Sequence, residues 1–175
     1  MYGLVNRGVM EFAIEALGGH VSLDGHQGSI AIETAQGPID VANAHGAALE
    51  LRSVSGWIQV ATCDVEALTI ESISGAIQVE DGHADRLEAD CAAANITLVR
   101  CDAEQIDVGA ASGDLLIREC RAETLGAGTG SGDVELRVTE RVEAMSENSG
   151  DITICGAGAL VGEGLGSGRV RKGAC

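Results

Sequence analysis

Apolar residues recur two apart, with polar residues between them, at two places in every eighteen or nineteen residues of this chain. The phrase carrying the first pair reads GGHVSL from Gly18, QGPIDV from Gln36, SGWIQV from Ser55, SGAIQV from Ser74 and AANITL from Ala93. It continues as SGDLLI from Ser112, SGDVEL from Ser131, SGDITI from Ser149 and SGRVRK from Ser167. Successive phrases start 18 residues apart, then 19 five times, then 18 twice. With the first residue of each phrase as position 1, positions 4 and 6 are apolar in nearly every copy, as in Ile58 with Val60 and Ile77 with Val79. A second pair falls at positions 14 and 16, as in Leu49 with Leu51 and Leu68 with Ile70. A spacing of two is the strand period, so each repeat holds at least two short strands. Small residues at positions 9 and 11, among them Ala44, Cys63, Cys101 and Cys120, suit crowded corners or a third short face.

A unit this short cannot bury its own apolar side chains, so the units must stack. Helical crossovers have no room in such a coil. The expected fold is an all-β, single-domain parallel β-solenoid of about eight coils, and the chirality of parallel connections favours a right-handed one. Position 2 is Gly in all phrases but one, Ala94 being the exception, which points to a tight turn or close packing on the next coil. Residues 1–18 read as an amphipathic capping helix, with Leu4, Val5, Val9, Phe12, Ile14 and Leu17 as its apolar positions and Gly18-Gly19 as its stop. The solenoid then occupies 19–175. Its last coil, with Arg169, Val170, Arg171 and Lys172, shows no comparable cap and is available for end-to-end pairing.

Composition narrows the function. Aromatic residues are only Tyr2, Phe12 and Trp57, consistent with a narrow aliphatic core and no large ligand pocket. A net charge of -16 argues against nucleic acid, whose phosphates need clustered Lys and Arg. No stretch is apolar enough to span a membrane, and no secretory leader is visible, so a cytoplasmic location is expected, or an extracellular one if a leader has been removed. Six cysteines show no CxxC pair, and three share position 9, which suits buried small residues.

The sharpest chemical candidate is position 3, where Asn95, Asp114, Asp133 and Asp151 fall on successive coils. Carboxylates stacked at ~4.8 Å repel one another, and Ca²⁺ between them would relieve that; Gly-Asp is also ordinary turn chemistry. His45, Asp64 and His83 share position 10, but two imidazoles ~9.6 Å apart do not reach a common Zn²⁺ unless they converge. Gln59 and Gln78 at position 5 suit an outward amide ladder. Neither a nucleophile motif nor a phosphate loop occurs, so no enzymatic activity and no cofactor beyond that Ca²⁺ are expected.

The SGDLLI, SGDVEL and SGDITI half-coils, with LELRSVSG and LTIESISG between earlier phrases, resemble the bacterial β-strand-repeat family labelled as adhesins. That resemblance covers roughly residues 19–170 and implies a parallel β-solenoid. Bactofilins, cytoplasmic filament formers built on compact β-solenoids, are a looser likeness. The leading expectation is a non-enzymatic scaffold rod that forms homo-oligomers or filaments by end-to-end stacking or helix docking. The alternative is an adhesin-like or cation-binding module that uses the aspartate column.

Overall fold

The computed structural model describes residues 12–138, 150–155 and 169–173. Its strands are β1 (Phe12–Ala16), β2 (Val21–Asp24), β3 (Ile30–Gln36), β4 (Ile39–Ser55), β5 (Ile58–Ser72) and β6 (Ile77–Ala93). There follow β7 (Ile96–Val99), β8 (Asp102–Ser112), β9 (Leu115–Ser131), β10 (Val134–Val138), β11 (Ile152–Cys155) and β12 (Val170–Gly173). All join one 12-stranded sheet that coils upon itself, and every strand pairing in it is parallel. The long strands are whole coils: β4 pairs with β5 from Ile39↔Ile58 to Ser53↔Ser72, a constant offset of one repeat.

Register at a constant offset puts like residues over like. Positions 4 and 6 stack as Ile39, Ile58, Ile77 and Ile96 beside Val41, Val60, Val79 and Leu98, all of them buried. Positions 14 and 16 stack as a second buried face through Leu49, Leu68, Leu87 and Ile106. The small residues of positions 9 and 11 form a third, with Ala44, Cys63, Cys101 and Cys120 at 1%, 2%, 1% and 0% exposure. Three inward faces enclose one continuous aliphatic core. Small residues on the third face let the other two approach closely, which is why the core needs almost no aromatic side chain.

Two expectations are corrected. Phe12–Ala16 is a strand, not the end of a capping helix, and it pairs with β3 from Phe12↔Ile30 to Ala16↔Thr34. Phe12, Ile14 and Ala16 are half-buried and Ala13 and Glu15 exposed, which is a strand's alternation rather than a helix's stripe. Stacking on Ile30 and Ile32 pairs one side of this rung's backbone and covers its apolar side chains. Leu17, placed on the helix's apolar face, is 89% exposed. Leu4, Val5 and Val9 lie outside the described residues. The solenoid therefore begins by Phe12, and it makes about seven turns rather than eight.

One corner left no mark in the sequence. Position 8 holds Asn43, Thr62, Asp81, Arg100 and Glu119, chemically unlike residues that all adopt φ between 52° and 59°. Each coil turns there through the left-handed region, which L-residues enter at a cost of about 1 kcal/mol or more. Contacts between coils help hold the corner. Arg100 grips Asp81 one coil below with Nε–Oδ1 at 2.6 Å and Nη2–Oδ2 at 3.0 Å, and Asn43 donates to Asp24 Oδ1 at 2.7 Å.

Candidate functional site

The repeated phrase, Ser-Gly-Asp in its later copies, is a three-part joint between coils. Its serine hydroxyls donate to the position 19 carbonyl one coil back: Ser74 to Val54 O at 3.1 Å, and Ser112 to Ala92 O at 3.4 Å. Its glycines stack backbone on backbone, so that a Cβ built on Gly132 would collide with the Gly113 carbonyl. Its acidic side chains form a ladder to the main chain. Asn95 Oδ1 accepts the Asp114 N–H at 2.9 Å, Asp114 Oδ1 the Asp133 N–H at 3.0 Å, and Asp133 Oδ1 the Asp151 N–H at 2.9 Å. Asp151 Oδ1 accepts the Arg169 N–H at 3.0 Å, and its Oδ2 lies 3.8 Å from Arg171 Nη2.

The four predicted ligands therefore do stand in one column, and the ladder uses one oxygen of each. A carboxylate facing a backbone N–H is partly compensated for the like charge of its neighbour. Among the described residues, no cluster of three or more His, Cys, Asp or Glu side chains has the geometry to hold a metal ion. Arg169 and Arg171 extend the same corner, and β12 adds its rung from Ile152↔Val170 to Cys155↔Gly173. His45, Asp64 and His83 are neighbours in register and all exposed. Gln59 and Gln78 also stack, but the Gln78 amide donates to Glu80 Oε1 on its own strand at 2.6 Å, so it is not spent on a ladder.

The buried thiols behave as core. Cys63, Cys91, Cys101 and Cys120 are free, and Cys155 is disulfide-bonded. Burial pushes the Cys63 thiol up to about 11. Cys101 is raised further, by its hydrogen bond with Cys120 and then by burial. A thiol held protonated is a poor nucleophile.

A second feature was not visible as a motif. Positions 17 to 19 of successive coils line a groove of about 800 Å³ that runs along the rod from Glu33 and Thr34 to Thr129 and Gly130. Its floor is position 18, where Ser53, Ser72 and Thr129 are buried hydroxyls, joined by Thr34, which stands in register with Ser53 at position 17 of its shorter coil. Thr129 donates to Gly113 O at 2.9 Å and Ser72 accepts the Gly75 N–H at 2.9 Å, so the floor braces the glycine column. One wall is position 19, with Val54 47% and Ile73 56% exposed. The other is position 17, with Arg52, Glu71 and Asp90, and Glu33 in register with Arg52 one coil back. Burial, then the charges of Glu88, Glu71 and Asp107, raise the Asp90 carboxyl above its ordinary value. Negative charge is crowded on this wall.

A single coiled sheet with stacked polar corners defines the class: a parallel β-solenoid. The chain belongs to the Toastrack DUF4097 family, whose model matches residues 10–157. No curated protein and no solved structure matches it. Family membership carries the fold; neither an adhesin nor a bactofilin assignment follows from it.

Proposed function

We propose that this protein is a non-enzymatic scaffold rod that self-associates through its ends. The observation that carries the reading is the sheet's open path. Strand order runs from β1 to β12, and among the described residues β1 pairs only with β3, β2 only with β4 and β12 only with β11. An edge of a parallel sheet presents a row of unpaired N–H and C=O groups that another strand can complete. The net charge of -16 opposes packing side by side, whereas Arg169 and Arg171 set exposed positive charge on the last described rung of an acidic rod.

Sedimentation velocity across rising protein concentration tests this. The sedimentation coefficient is expected to climb with concentration, and a strict monomer in both low and high salt would overturn the self-association. The alternative, a cation-binding module, draws on the same aspartate column. A ligand that binds only the native state raises its melting temperature. Because the ladder already compensates each carboxylate, millimolar Ca²⁺ is expected to leave the melting curve in place; a rise of several degrees would favour the cation-binding module.

A further inference from the structure

From the groove at positions 17 to 19 we infer a docking site for a basic amphipathic helix of a partner protein, independent of association through the ends. The groove is amphipathic in cross-section. Val54, Ile73, Ala92 and Ala111 form one wall and Glu33, Glu71 and Asp90 the other, with small and hydroxyl side chains between. Arg52 stands on the acidic wall but lies 3.5 Å from Glu71, within an ion pair. The outer surface beside that wall adds Glu50, Glu88 and Asp107 against Arg86, which is itself 3.5 Å from Glu88 and 3.8 Å from Asp107. A ligand that meets both walls must carry an apolar row flanked by positive charge.

Spacing selects the helix. The groove crosses six coils, ~24 Å at ~4.8 Å a coil, with charged side chains on the first four and Gly109 and Gly128 in their place on the last two. A helix presents one side-chain row with a residue every ~5.4 Å, and about 16 residues cover that length with a drift of only ~3 Å. An extended chain places same-side residues ~6.7 Å apart and slips by ~10 Å over the same rungs. Val54 and Ile73 on adjacent coils would seat the apolar row, and Glu71 and Asp90 would meet the Lys or Arg row beside it.

The test uses the full chain at a concentration where it sediments as a monomer, so that failure here is distinct from failure of end association. The probe is a fluorescent 18-residue Leu/Lys peptide patterned as an amphipathic helix. Controls are a peptide of the same composition in strict alternation and a Lys-only peptide. Saturable 1:1 binding with a gain in helical circular dichroism is expected. Ile73→Asp should weaken it about tenfold, and Glu71→Gln with Asp90→Asn should weaken it with a smaller salt dependence. Asp64→Asn with Asp102→Asn removes the same charge from another exposed face and should change nothing. Ile73 is more than half exposed, so its variant should fold, which its melting curve would verify. Absence of binding overturns the proposal. So does equal binding of the Lys-only peptide, or indifference to Ile73→Asp, since either reduces the contact to charge alone, and equal binding of the alternating peptide, which removes the selection of a helix.

Discussion

Gly113→Ala is expected to destabilise the rod by about 3 to 5 kcal/mol, the sum of left-handed backbone strain and overpacking. Gly113 has φ 139°, and a Cβ there would lodge against the Ala94 carbonyl. No neighbour can yield, because the obstacle is main chain; Gly113 is itself tied to the next coil by its N–H to Ser131 O at 2.9 Å. Gly82→Ala is the matched control. Its Cβ would meet Val79 Cγ1 at 3.2 Å and the Cys63 and Cys101 sulfurs at 3.5 Å, all side chains that can shift a few tenths of an ångström. Urea denaturation of the two variants should separate them by several kcal/mol, and equal midpoints would show that the glycine column does not hold the corner.

Leu68→Ala should cost about 3 kcal/mol. Leu68 is 1% exposed and stacks between Leu49 below and Leu87 above. Collapse into the resulting cavity is restricted, because the hydrogen-bonded ladders hold the coils at ~4.8 Å spacing. In a stack whose stability is a sum over neighbouring coils, a central defect weakens two interfaces at once. Leu23→Ala, on half-buried β2, should cost less than half as much. A shift in denaturation midpoint no larger for Leu68→Ala than for Leu23→Ala would show that the central coils are not the more tightly coupled.

The strand faces were legible because position 4 over position 4 is the same contact repeated, and a repeated contact leaves a repeated residue. The aspartate column was legible for the same reason, but its chemistry was not: Asp114 and Asp133 carry the charge of ligands and do the work of main-chain acceptors. Phe12 and Ile14 misled because Val5, Val9 and Phe12, spaced four and three apart, suit a helix face, and the strand period between Phe12 and Ile14 stood out only with Ile30 and Ile32 beside it. The groove left no motif, since Val54, Ser72 and Asp90 acquire a common lining only once the coils are superposed.

From its own order of residues this protein determines that it coils, at what period, which side chains turn inward and where the smallest ones must lie. Those properties follow from burial and backbone sterics acting identically in each coil, and so they recur along the chain. Tertiary structure alone decides what happens once per coil without a residue preference. The left-handed corner accepts Asn43, Thr62, Asp81, Arg100 and Glu119 alike because closing the coil imposes the turn, and packing across the coils repays its strain. Tertiary structure likewise makes one groove of six separate segments, because the distance between their residues is set by the stack and not by the chain.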